Sequence, residues 1–207
     1  PTQLHYNKDL KEYAFDIELA ASLLDEAGWV DSDGDGIRDK VINGQKEPLE
    51  INFKYPKTEA AKNVALIIQQ DMKKLGVKWE LVEREFPVMI QDLNKLDFDM
   101  VASATSIPPT FGDPKQIWHS SSAVPGDSNR SGWSSPEGDK IMEEIEVELD
   151  AEKRKNLAIR LQQLIHDDVP VIFYNCPRGR VAISNKIKAQ PTAIPPGYFY
   201  NELQIGN

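Results

Sequence analysis

Residues 20–56 read AASLLDEAGWVDSDGDGIRDKVINGQKEPLEINFKYP and carry three kinds of local order in succession. Between Phe15 and Ala27 the apolar positions Ile17, Ala20, Ala21 and Leu24 recur at helical spacing, and Gly28 suits the position just past a helix end. A turn rich in aspartate and glycine follows. Leu49, Ile51, Phe53 and Tyr55 then alternate with other side chains, which predicts a half-buried strand. No catalytic group stands out in this stretch.

Further along, Thr58 to Leu75 reads as a long helix with the stripe Ala61, Val64, Ala65, Ile68, Met72 and Leu75, closed by Gly76. Val77, Trp79 and Leu81 share one face of a second strand. Phe86 to Leu93 reads as a short helix, and Phe98 to Ser103 as a buried third strand. The order β-α-β-α-β marks an α/β layer with crossover connections. From Ala104 to Arg130 the chain turns rich in Ser, Pro, Gly, Asn and Asp around the apolar island QIWH. Irregular segments of that length in compact domains tend to be functional or disordered. Helices are expected over Pro136–Leu149 and Ala151–Asp168, strands over Pro170–Cys176 and Val181–Ile183, and an irregular tail from Gln190.

Composition narrows the function. The chain has 207 residues, enough to bury a sizeable core, and its 33 acidic against 24 basic side chains give a formal charge of -9. That balance disfavours a nucleic-acid backbone as partner and leaves no polybasic membrane patch. Cys176 is alone, so an internal disulfide is excluded and the redox compartment stays open; its place in VPVIFYNCP reads as a small core residue. No apolar run approaches the roughly 18 residues of a membrane span. A start at Pro1 without a signal peptide is read as a processed or cut product.

The strings AASLLDEAGW, DSDGDGIRD, PLEINFKYP, AKNVALIIQQDMKKLGVKWEL, LDFDM, QIWHSSS, NRSGWSSPEGDKIMEE, AEKRKNLAIRLQQLIHDDVPVIFYN and RVAISNK occur here in an order that resembles the extracytoplasmic solute-binding proteins of family 5. These are the dipeptide and oligopeptide receptors of ABC importers. The resemblance covers nearly all of the chain and is to the C-terminal lobe alone. It implies an α/β fold of the periplasmic-binding-protein type II class, a mixed and mostly parallel sheet flanked by helices. It also implies a single lobe over 1–207, with a main body at 1–189 and a tail at 190–207 that packs on it or returns to a missing N-terminal lobe. In the second case Tyr198, Phe199 and Tyr200 would be left exposed. The expected role is non-catalytic and requires no cofactor: binding a peptide or other small solute in the periplasm or on the outer face of the cytoplasmic membrane, for delivery to an ABC transporter permease.

In that family the loop after the LDFDM-like strand faces the ligand cleft and pairs with an extended peptide. The resemblance therefore places candidate ligand contacts at Ser103, Ala104, Thr105 and Ser106. An aspartate a few residues on commonly meets the ligand's α-amino group. Here the matching position is Pro108 or Thr110, neither acidic, and Asp113 is the nearest carboxylate. Thr110 is kept as a candidate contact, while Asp113 is an alternative helix cap. Trp118 and Trp133 are candidate pocket walls or core anchors beneath the loop, whereas Trp29 and Trp79 read as core.

Asp31, Asp33, Asp35, Gly36 and Asp39 form the first half of a calcium loop, in which alternate carboxylates can converge on one cation. Ile42 stands where the closing bidentate Glu would be. Two readings stay open, a structural calcium site and a plain aspartate-glycine hairpin turn. For catalysis His5, His119 and His166 are scattered, Ser120, Ser121 and Ser122 lack a nucleophile elbow, and GxGxxG is absent. The rivals to a binding lobe are a hydrolase using the 104–130 loop and a calcium-stabilised extracellular interaction domain.

Overall fold

Helix α1 (Ile17–Glu26) begins where the Asp16 carboxylate accepts the Leu19 N–H at 2.8 Å. The computed structural model describes residues 5–105, 112–175, 181–192 and 197–205. The chain forms two compact units, Lys11–Thr105 and Pro1–Leu10 with Ser106–Asn207.

In the first unit α1 leads through the aspartate turn into an antiparallel ribbon of β1 (Asp39–Ile42) and β2 (Gln45–Pro48). Its turn is Asn43-Gly44, both at positive φ (52° and 81°), the pair a two-residue hairpin favours. That signal lies in plain view in the sequence, so the hairpin belongs to Asn43-Gly44 and not to the aspartates. The aspartate turn is closed instead by an isolated bridge between Val30 and Asp39.

Strand β3 (Glu50–Pro56) is central. Helix α2 (Glu59–Lys74), strand β4 (Lys78–Arg84), helix α3 (Phe86–Lys95) and strand β5 (Met100–Val101) follow, and the parallel sheet runs β4-β3-β5. Because α2 returns the chain to one side of β3 and α3 carries it to the other, right-handed crossovers put the two helices on opposite faces. Phe53, Tyr55 and Trp79 are buried with Ala65 of α2, and Ala20, Ala21 and Leu24 of α1 pack on the same cluster. On the opposite face α3 buries Met89 and Leu93, and β3 presents Lys54. The expected third strand is cut from Phe98–Ser103 to two residues.

Arg38 ties the helix ends together. Its Nε donates to the Leu75 carbonyl at 2.7 Å, and its guanidinium reaches the Trp29 carbonyl and the Asp25 carboxylate. Gly76 makes room for it: φ is +71°, and a Cβ there would stand 3.2 Å from Arg38 Cγ and 3.3 Å from the Gly36 carbonyl.

The second unit is built on a helix pair. After the short α4 (Lys115–Trp118), helices α5 (Pro136–Val147) and α6 (Ala151–Asp168) bury Ile141, Met142, Ile145, Ala158, Leu161 and Ile165. Each starts at a side-chain cap, Ser135 and Asp150. Gly138 is needed for contact with Trp133, since a Cβ would lie 2.4 Å from that ring. The strands expected over Pro170–Cys176 and Val181–Ile183 are absent among the described residues, and Cys176 lies outside them. A ribbon of β6 (Ile187–Lys188) and β7 (Gln204–Ile205) stands near the chain end. Phe199 and Tyr200 are exposed, and Tyr198 is half-buried.

Candidate functional site

In an open α/β sheet the crevice for ligands lies beyond the carboxyl ends of the strands. Here those ends are Pro56, Arg84 and Val101. The segments leaving them stay close. The Lys57 N–H donates to the Arg84 carbonyl at 2.9 Å, the Ala102 N–H to the Lys54 carbonyl at 2.8 Å, and the Lys57 and Glu85 side chains pair at 2.7 Å. Thr58 caps α2, with its hydroxyl accepting the Ala61 N–H at 3.2 Å. Phe86 stands exposed at the start of α3. This end of the sheet therefore offers mixed charge, one free aromatic ring and two helix N-termini.

Ser103, Ala104 and Thr105 continue from β5 and are exposed. Their backbone groups make no hydrogen bond to other described residues. Strand β5 pairs on one side only, with β3, so among the described residues its other edge is open. An open edge is a ready template for an extended chain. Ser106 and Thr110, also singled out from the sequence, lie outside the described residues, as does Pro108.

Not every residue singled out from the sequence meets at this place. Trp133 is a core residue of the helix pair: it is buried, and its Nε1–H donates to Asp168 at 2.8 Å. It fills space between α5 and α6 rather than walling a pocket. Trp118 is half-buried and meets Trp133 edge-on at 6.2 Å between ring centres. The Asp113 carboxylate accepts the Lys115 N–H at 2.9 Å at the start of α4, the capping alternative. Asp31, Asp33 and Asp39 bring carboxylate oxygens within 4.8 Å of one another. Asp35 accepts the Ile37 N–H at 2.8 Å instead.

Two features escaped the sequence reading. Lys54 is buried on the α3 face, with its ammonium 3.1 Å from Asp92 and 3.2 Å from Asp97, and Arg84 Nε also reaches Asp92 at 3.1 Å. Asp92 titrates below the usual carboxylate range, chiefly because of the Lys54 hydrogen bond. Lys54 and Arg84, with Asn52, Asp97 and Asp99, line an open cleft of about 420 Å³. Alternation along β3 shows that Lys54 points away from Phe53 but does not reveal that it is buried. The second feature is Asn129, fully buried, whose amide donates to the carbonyls of Trp118, His119 and Trp133 at 3.3, 3.1 and 2.9 Å. It orders the polar loop from within. The Ser-His neighbours act on the same loop: His119 Nδ1 meets the Ser121 hydroxyl at 2.8 Å, and Ser120 bonds Asp139.

A parallel sheet with helices on both faces and an open edge beyond its strand ends defines a binding lobe of the type II periplasmic class. Comparison with known proteins makes the class specific. The family model "Bacterial extracellular solute-binding proteins, family 5 Middle" matches residues 1–127. The oligopeptide-binding protein AppA of Bacillus subtilis (strain 168) is 27% identical over 192 residues, covering 91% of this chain and 34% of its own. The dipeptide-binding protein DppE of the same organism is 31% identical over 170 residues, 81% of this chain and 26% of its own. The structure of AppA with a nonapeptide superposes with a TM-score of 0.73 at 27% identity, covering 81% of this chain and 33% of that one. The chain belongs to the family 5 extracellular solute-binding proteins and spans about a third or less of these relatives' length. These relatives are named as binding proteins, which lends the hydrolase alternative no support. Among the described residues, no helix is long and apolar enough to cross a membrane.

Proposed function

We propose that this chain is the C-terminal lobe of a two-lobed receptor that captures a peptide or another small solute outside the cytoplasmic membrane and hands it to an ABC transporter permease. The observation that carries this reading is that, among the described residues, one edge of β5 is open and the exposed backbone of Ser103–Thr105 that continues it beyond the strand ends makes no hydrogen bond. An extended peptide laid along that edge gains main-chain hydrogen bonds whatever its sequence. AppA, a relative of known structure, was solved with a nonapeptide, which supports a peptide as the ligand. The N-terminal lobe supplies the remaining contacts, and closure of the two lobes excludes water.

Calorimetry with mixed short peptides tests the reading on the full-length receptor and on this chain alone. The full-length protein is expected to bind and the isolated chain to bind weakly or not at all; micromolar binding by the isolated chain would overturn the need for a second lobe. In the full-length protein Ala104→Pro removes one edge N–H, and a loss of roughly tenfold in affinity is expected. Unchanged affinity would refute pairing along β5.

A further inference from the structure

The aspartate turn has the look of a metal loop, yet its geometry names a different cation. Lys46 reaches over from β2 and sets its ammonium 2.5 Å from Asp33 Oδ2 and 3.0 Å from Asp39 Oδ2. These are two of the three carboxylates that converge. The third, Asp31, spends both oxygens on backbone donors, the Gly34 N–H at 2.7 Å and the Gly36 N–H at 2.9 Å. Asp39 is buried and already accepts the Ser32 hydroxyl at 2.7 Å and the Ser32 N–H at 3.1 Å. Calcium asks for about six to eight oxygen ligands in a flexible shell. Here an ion would have to share oxygens that already accept hydrogen bonds and sit beside an ammonium of the same sign. The residues present do not fit it.

We propose that the Lys46 ammonium is the resident cation of the aspartate turn, holding the place a metal would take and fastening the segment after α1 to the β1–β2 ribbon. One ammonium from the facing strand bridges the two carboxylates and offsets one of their two charges without an ion from solution, so the turn folds alike whether divalent cations are scarce or plentiful. The lysine keeps its proton to higher pH than usual, chiefly because of Asp33 and then Asp39, as a resident counter-ion should. Asp33→Asn and Lys46→Met should therefore act on one interaction rather than two.

Thermal unfolding of this chain in chelator and in millimolar calcium tests the assignment. The unaltered chain is expected to melt at the same temperature in both. Lys46→Met, a change at a half-exposed side chain that leaves the core alone, is expected to melt roughly 1–4 °C lower. Adding Asp33→Asn to Lys46→Met should cost less than Asp33→Asn costs by itself. A calcium-dependent rise in the unaltered chain, an unchanged midpoint in Lys46→Met, or strictly additive losses would each overturn it.

Discussion

The two units of the chain hold themselves together in different ways. The first, Lys11–Thr105, is a parallel sheet whose buried layer of Phe53, Tyr55, Ala65 and Trp79 is laid down by short-range pattern. Strands β3 and β4 are each followed by a helix that packs on the sheet, so hydrophobic alternation and helical spacing alternate along this part of the chain. The second, Pro1–Leu10 with Ser106–Asn207, packs a helix pair around Met142 and Trp133 and orders a polar loop through one buried amide. Its apolar run Val171–Tyr174 is exposed and in no strand among the described residues. The difference teaches that a sequence reports burial more directly than it reports the partner that does the burying.

The largest effect probes the sheet unit. Trp79 is 6% exposed and stacks at a tilt on Phe53, with 5.4 Å between ring centres. Trp79→Ala is expected to cost roughly 3–5 kcal/mol in urea unfolding, the range for emptying an aromatic site in a packed core. A cost within about 0.5 kcal/mol, typical of surface changes, would show that the charged face around Lys54 carries the sheet instead.

That contrast also explains what was legible. The helices α1, α2, α5 and α6 and the strands β3 and β4 follow from spacing, because one-sided burial imprints a period of 3.6 or 2 on the residues themselves. The candidate contacts at Ser103–Thr105 came from family resemblance, not from periodicity. Trp133 stayed open between pocket wall and core anchor because a tryptophan in a polar loop reads alike whether its ring faces solvent or the Gly138 gap. The Pro170–Cys176 run misled because continuous apolarity reads as a buried strand, whereas Val171–Tyr174 is exposed in this chain and pairs with no strand among the described residues. Lys54 and Asn129 stayed hidden for a related reason. A polar residue is free to be buried once partners satisfy it, and neither the distant Asp92 and Asp97 of Lys54 nor the nearby backbone carbonyls met by Asn129 leave a mark in the pattern of residue types.

An intermediate effect probes the loop of the second unit. Asn129 spends its amide on three carbonyls, and its Oδ1 accepts the Ser131 hydroxyl at 2.9 Å. Asn129→Ala takes this donor from the Trp118 and Trp133 carbonyls, while the Ser122 N–H still meets that of His119, and is expected to cost roughly 1–3 kcal/mol. Asn129→Asp should be worse at neutral pH, since a carboxylate then faces the same three oxygens. Equal stability of the two variants would mean that the loop draws its order from elsewhere.

The smallest effect is a difference in acid sensitivity. In the sheet unit Asp33, Asp39, Asp92 and Asp99 all titrate below the ordinary carboxylate value of 3.8. Their chief causes are Lys46 for Asp33, the Ser32 hydroxyl for Asp39, Lys54 for Asp92 and the Asn52 N–H for Asp99. In the helix-pair unit Glu146 is lowered by Lys115, and Asp167 by His166. A carboxylate depressed in the folded state lends stability that is complete above its unfolded value and disappears as the pH drops through the folded one. Acidification from neutral to below about pH 4 is therefore expected to erode amide-exchange protection sooner in β3 and β4 than in α5 and α6. Asp99→Asn removes one of the four groups, and the fall of melting temperature with acid should become shallower. An acid limb as steep as that of the unaltered chain would take Asp99 out of the account. Earlier loss in α5 and α6 would reverse the contrast between the units, because the burial of Met142 and Trp133 would then depend on charge more than the sheet does.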